Sequence, residues 1–329
     1  MRTISSLAKS FKFVAAALLV ASLIATAACG SRSSESTAGT KPVIKIGYLP
    51  ITHAGPLYVE EETGGGDFDA FKLELVKFGS WPDMMDALNS GKIDGASVLM
   101  ELAMKAKEQG IDLKAVALGH KDGNVIVVAN DINRVQDLKG KSFAIPSTFS
   151  THNILLYQML KKAGMAYSDV KAVELAPAEM PAALASGRVA GYVVAEPFGA
   201  KSVVIHKGKV LYQSQDLWDN SVDCGLVLRG DLIRKEPEAV QAFVSEYAKA
   251  GRKAETKDAE VKRIFKKYMN LNDDELNLSL QWIKYDDLKI EEAPYEQLRS
   301  YLMEMGLSDH PPAYKDFVDP SFMNKVSEQ

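Results

Sequence analysis

The sequence is short of the groups on which most protein chemistry depends. It carries 2 cysteines, 5 histidines and 3 tryptophans in 329 residues, too few cysteines for a disulfide framework or a cysteine-rich metal cluster. It contains no G-x-S-x-G, P-loop, G-x-G-x-x-G or H-E-x-x-H motif. The usual signatures of a nucleophile elbow, a nucleotide cradle and a zinc hydrolase are therefore missing, and no enzyme is expected. His53, His120, His152, His206 and His310 are scattered. None has a cysteine or carboxylate at ligand spacing on one helix face, so spacing points to no metal centre. No basic stripe is present, which excludes nucleic acid as a partner. The apolar run Phe13 to Ile24 has 12 residues, too few to cross a bilayer.

That short run has a different use. Arg2, Lys9 and Lys12 precede it, and small residues (Ala25, Thr26, Ala27, Ala28) lead from it to Cys29. This is the layout of a secretory signal peptide over residues 1–28. A cysteine directly after the small residues resembles a bacterial lipobox, so Cys29 is expected to be acylated and to anchor the chain to a membrane. Residues 29–41, rich in Ser, Thr and Gly, read as a flexible tether. Loss of residues 1–28 takes the formal charge from −4 to −7. With Cys29 acylated, Cys224 has no partner. In the apolar run VDCGLVL it is expected to be a buried thiol.

The chain is organised around a repeat. Residues 83–95 (DMMDALNSGKIDG) align with residues 179–191 (EMPAALASGRVAG) at an offset of 96, and the same offset sets Pro50 and Thr52 on Pro146 and Thr148. One unit is used twice: strand, loop, helix, strand, helix, glycine, strand. Its local signals are consistent. Ser80 stands at an N-cap and Pro82 in a first turn. Met84, Met85 and Leu88 make one apolar face, and Gly91 suits a left-handed helix end. Alternating strands and helices predict α/β sheets, one in each of two lobes, with 42–127 and 224–329 in lobe 1 and 128–223 in lobe 2. Beyond Asp231 the pattern is helical, near 237–255, 259–268, 273–283 and 294–305, and Pro311–Pro312 closes the ordered part. The two crossings between lobes form a hinge, and a hinged pair of lobes is a clamp for a ligand.

Two loops look chemical. Pro50 to Gly55 contains Thr52 and His53; Pro146 to His152 contains Thr148, Ser150, Thr151 and His152. Each follows a strand and opens a helix, where free N–H groups and hydroxyls attract an anion. Ser80 and Trp81 lie at another strand end, where ligands bind in open sheets. Glu196 opens a lobe-2 helix and is read as a dipole partner, a ligand contact or a calcium ligand. Asp122, Asn124 and Asp223 fall at the hinge and could face the cleft.

Together GYLPITHAGPL, GSWPDMMDALNSGKIDGASVL, DLKGKSFAIP, STHN and GYVVAEPF resemble the solute-binding proteins of nitrate/sulfonate/bicarbonate-type ABC importers, a family that includes taurine and thiamine-precursor binders. The resemblance covers roughly residues 43–230. It implies a two-lobe type II periplasmic-binding-protein fold. It also implies a cleft lined by Thr52, His53, Ser80, Trp81, Ser150, Thr151, His152 and Glu196. It further implies an extracytoplasmic, lipid-anchored monomer that delivers a small anion to a permease and its ATPase. No cofactor is implied, except calcium at Glu196 if the ligand is bicarbonate. The alternatives are a thiamine-pyrimidine-precursor binder, a ligand sensor, or an enzyme on the same fold. The iron site that such an enzyme needs is lacking.

Overall fold

In a computed structural model the structure describes residues 41–327. The expected signal peptide, the acylated Cys29 and nearly all of the tether lie outside the described residues. Among the described residues no helix is long and apolar enough to cross a membrane.

Strands β1 (Val43–Tyr48), β2 (Lys72–Lys77), β3 (Gly95–Leu99) and β4 (Leu113–Leu118) alternate with helices α1 (Gly55–Gly64), α2 (Trp81–Asn89) and α3 (Met100–Glu108). A short β5 (Lys121–Asp122) leads to β6 (Asn124–Val128), β7 (Ser142–Ile145), α4 (Thr151–Lys162), β8 (Lys171–Glu174), α5 (Met180–Ala185), β9 (Gly191–Ala195), α6 (Phe198–Val204) and β10 (Lys209–Gln213). The chain returns through β11 (Cys224–Arg229) to α7 (Gly230–Lys235), α8 (Pro237–Glu255), α9 (Ala259–Tyr268), α10 (Asp273–Gln281), β12 (Ile283–Lys284) and α11 (Glu292–Glu304).

Two five-stranded sheets result, in the orders β2-β1-β3-β11-β4 and β8-β7-β9-β6-β10. The sequence repeat is visible in both. Each has three parallel strands in the same order, and an antiparallel strand laid beside the third: β11 on β3 and β6 on β9. The helix signals act as read. The Ser80 side chain accepts from the Asp83 N–H and the Ser150 side chain from the Asn153 N–H, each satisfying one donor that a helix start leaves open. Gly91 has φ +74°, the left-handed region that glycine enters without steric cost.

The first crossing comes a strand earlier than expected. Asn124–Val128 pairs with Gly191–Ala195, so it belongs to the second sheet and not to the first. An apolar strand shows in sequence that it is buried, but not which neighbour buries it. Both crossings, between Leu118 and Asn124 and between Gln213 and Cys224, run past the same end of the first sheet. Lys121–Asp122 is pinned there by pairing with Ile283–Lys284 and by a Lys284–Asp122 ion pair of 2.9 Å.

The order does not end at Pro311–Pro312. Phe317 is fully buried, Val318 bridges Ala115 of β4, and the Asp319 N–H donates to the Ala115 carbonyl. The two prolines redirect the chain, and the aromatic and aliphatic residues after them dock on the exposed edge of β4. The helical tail serves both sheets: α8 and α9 pack on α1, whereas α10 packs on α6.

Candidate functional site

The ends of the first sheet's strands that face the crossings hold a polar cluster from which solvent is excluded. His53 lies in the tight turn Thr52–Ala54 after β1, His120 just after β4, His152 in the first turn of α4, and Asp223 immediately before β11. All are at most 3% exposed. Asp223 is the hub. Its Oδ2 is 3.0 Å from His53 Nδ1 and 3.2 Å from His120 Nε2, and it accepts from the Asn124 side-chain amide at 2.9 Å. Its Oδ1 is 3.8 Å from His152 Nδ1. The rings of His53 and His120 stack with centroids 3.5 Å apart. One donor atom from each of His53, His120, Asp223 and Cys224 fits in a group within 4.8 Å of one another.

The outer nitrogens of two rings are spoken for by the first crossing. His53 Nε2 donates to the Gly123 carbonyl at 3.2 Å, and His120 Nδ1 to the Asp122 carbonyl at 2.7 Å. Neither nitrogen of His152 has a hydrogen-bond partner. Burial pushes His53 down to about 4, helped by the adjacent His120. Burial also lowers His152, so both rings are neutral near pH 7. Burial pushes the Cys224 thiol well up.

Around the cluster the two halves are latched. The Thr52 N–H donates to the Glu196 carbonyl at 2.9 Å, and the Thr52 hydroxyl to the same oxygen at 3.0 Å. Thr151 Oγ1 is 2.5 Å from Glu101 Oε1 and 2.7 Å from the Val222 carbonyl. A hydroxyl has one proton and a carbonyl none to give. Thr151 must therefore donate to Val222 and receive from Glu101, which requires a protonated carboxyl. Burial, reinforced by the charge of Asp223, pushes Glu101 well above the carboxylate range, in agreement. Glu101→Gln, which keeps a donor at this place, is expected to change the denaturation midpoint little. Glu101→Ala should lower stability by about 1–3 kcal/mol, the cost of leaving buried polar groups unpaired. Equal losses in urea titrations of both variants would count against the latch.

The expected site residues divide. His53, Thr151 and His152 reach the cluster, and Thr52 joins the latch. Ser150 is spent on its helix, donating to the Ser147 carbonyl and accepting from Asn153. Ser80 caps α2 and bonds Asp83. Thr148 is exposed, and its N–H donates to Glu174. Trp81 is buried with an indole N–H that has no partner. The Glu196 side chain forms no hydrogen bond with the histidines. It accepts from the Ala200 N–H at 3.0 Å and from Ser279 at 2.9 Å, the dipole-partner arrangement, and burial pushes it up to about 8.

The histidines gather although no sequence spacing announced it, because four separate segments deliver the donors. Sequence reasoning assigns His120 no role. The signal available was position: HKDGN follows an apolar strand, and Asp223 interrupts an apolar run, both at crossings.

The chain matches the family model described as the NMT1-like family over residues 37–268. A solved ligand-binding component of an ABC-type import system from Staphylococcus aureus, with zinc bound, is 42% identical; the match covers 88% of this chain and 100% of that one, with a TM-score of 0.84. The nitrate-binding protein NrtA from Synechocystis, 17% identical, shares the fold over 88% of this chain and 89% of its own, with a TM-score of 0.76. The taurine-binding periplasmic protein of Escherichia coli is 32% identical over 175 residues, 52% of this chain and 54% of its own length. The chain spans 33% to 55% of the length of the first curated relatives it matches. The periplasmic-binding-protein fold expected from sequence is the fold of these solved neighbours, and the matched nitrate/nitrite and aliphatic sulfonates relatives are named as binding proteins.

Proposed function

We propose, from the premise that this chain belongs to the NMT1-like family, that it is the extracytoplasmic solute-binding component of an ABC importer, closing two lobes over a small ligand at the cluster around Asp223. One observation carries the reading: a single buried polar cluster draws side chains from both halves and from both crossings. The latches Thr52–Glu196 and Glu101–Thr151 exist only with the lobes shut, so a ligand that bridges the halves shifts the population toward the shut form.

The partners that follow are a membrane permease and its ATPase, with Cys29 as the lipid anchor and the chain a monomer. Nitrate and taurine in the relatives' names support a small oxyanion, the class expected from the sequence. Zinc in the Staphylococcus structure supports a cation.

A thermal-shift panel on the full chain tests the reading. It contains nitrate, bicarbonate with and without calcium, taurine, alkanesulfonates and divalent transition-metal ions. A true ligand at about 100 times its Kd is expected to stabilise the fold by about 2.7 kcal/mol. A folded sample that no member of the panel stabilises would contradict it.

A further inference from the structure

We propose that His53, His120, His152 and Asp223 form a binding site for a divalent transition-metal ion of the zinc class, and that this ion is the ligand over which the lobes close. Its transport role rests on the solute-binding reading above; its geometry does not.

The argument starts from which nitrogens carry protons. The carbonyls of Gly123 and Asp122 can only accept. His53 therefore carries a proton on Nε2 and His120 on Nδ1. A ring that carries only that proton leaves its opposite nitrogen, His53 Nδ1 or His120 Nε2, as a bare lone pair. Both point at one oxygen of Asp223, at 3.0 and 3.2 Å. Three acceptors then face one another in a site closed to water. Protonating both rings is no remedy, because their centroids are 3.5 Å apart and two stacked imidazolium charges would repel. With one ring protonated, a lone pair still faces the carboxylate. A cation among the three satisfies all of them.

The spacing fits a single ion. Ligand atoms about 2.0 Å from a tetrahedral metal stand about 3.3 Å apart, close to the separations observed. His152 stands at the other oxygen of the carboxylate as a further donor: it is 1% exposed, neither of its nitrogens has a hydrogen-bond partner, and Nδ1 is 3.8 Å from Asp223 Oδ1. Metal-binding imidazoles usually donate their second N–H to a carbonyl or carboxylate, which orients the ring; here the first crossing provides both carbonyls.

The donor set selects the class of ion. Imidazoles with one carboxylate suit zinc and its neighbours, whereas calcium and magnesium prefer all-oxygen sites. The Cys224 sulfur, within the same 4.8 Å group, moves the preference further from calcium. Among the described residues no lysine or arginine pairs with Asp223 or Glu101. An oxyanion placed here would meet a buried carboxylate without a compensating cation, which is costly.

The test is calorimetry on the chelator-treated full chain with zinc, cobalt, calcium, nitrate and taurine as separate titrants. Saturable zinc binding, one ion per chain, is expected, with calcium, nitrate and taurine far weaker. His120→Ala and Asp223→Asn should each weaken zinc at least about 100-fold, since losing an outer-sphere partner alone costs 10–100-fold. The exposed His310→Ala should bind as the parent does. Circular dichroism establishes that each variant is folded, and His120→Ala carries the test if Asp223→Asn is not. No zinc binding by a folded parent, or zinc binding that both variants retain, overturns the proposal. An oxyanion that binds the metal-free chain and is lost in the same variants also overturns it, yet leaves the solute-binding reading standing. Zinc binding at these residues without any closure of the lobes would support the site and remove its transport role.

Discussion

Replacing Glu196 with glutamine is expected to stabilise the fold by about 3 kcal/mol at pH 7 and to change it little near pH 4. Glu196 is fully buried and its pKa is raised to about 8, against an ordinary value of 4.5. Burial is the main cause, and the Ala200 N–H and Ser279 hydroxyl oppose it. Between these two values the folded chain holds a proton that the unfolded chain has released. Stability therefore falls as pH rises from about 4.5 toward 8, at about 1.4 kcal/mol per pH unit. Glutamine has the shape of the neutral acid, can still accept from Ala200 and Ser279, and has no proton to lose. Glu101 and Glu60, both buried with raised pKa values, add slopes of the same sign. The informative quantity is thus the difference between parent and variant in urea titrations at pH 4, 6 and 8. Two parallel curves would show that Glu196 does not titrate as its burial requires.

The second large effect lies in the repeat. Gly95 and Gly191 occupy the same place in the two sheets, at the start of the strand that receives the antiparallel neighbour. A Cβ on Gly95 would lie 2.7 Å from the Val227 carbonyl oxygen and 2.5 Å from Leu228; on Gly191, 2.8 Å from the Val127 oxygen and 2.7 Å from Phe143. These contacts are to backbone and packed core, which cannot move aside cheaply. Gly95→Ala and Gly191→Ala should each cost about 3 kcal/mol, the upper range for overpacking. Gly187 provides the comparison. A Cβ there meets nothing within 4 Å, but its φ is +71°, so Gly187→Ala should cost about 1 kcal/mol from backbone conformation alone. Equal costs at Gly187 and Gly191 in denaturant titrations would refute the close-approach explanation of the repeat's last glycine.

Those glycines also mark what the sequence makes legible. The repeat, the caps at Ser80 and Ser150, the left-handed Gly91 and the long amphipathic helices all depend on neighbours within a few residues. Local chemistry states them directly. The pairing of Asn124–Val128 with the second sheet depends on a strand far along the chain, and composition is silent on that choice. The site divides in the same way. His53 and His152 stand out in the sequence because each sits in a hydroxyl-rich loop between a strand and a helix. His120 and Asp223 are 103 residues apart and meet only because two crossings pass the same sheet end. Nothing local records that meeting except the oddity of polar residues at the tips of buried strands. Glu196 stands out in sequence as a carboxylate at a helix start, and its Oε2 is taken by its own helix and by Ser279.

The central claim, that ligand at the Asp223 cluster holds the two halves together, is most directly tested by amide hydrogen exchange at Thr52. That N–H donates across the cleft to the Glu196 carbonyl at 2.9 Å and has this bond only while the lobes are shut. Exchange at Thr52 is expected to be fast in the chelator-treated chain and to slow by at least about tenfold when zinc, or whichever ligand stabilises the fold, is added, equivalent to about 1.4 kcal/mol of added closure. The same exchange rate with and without bound ligand would contradict the claim.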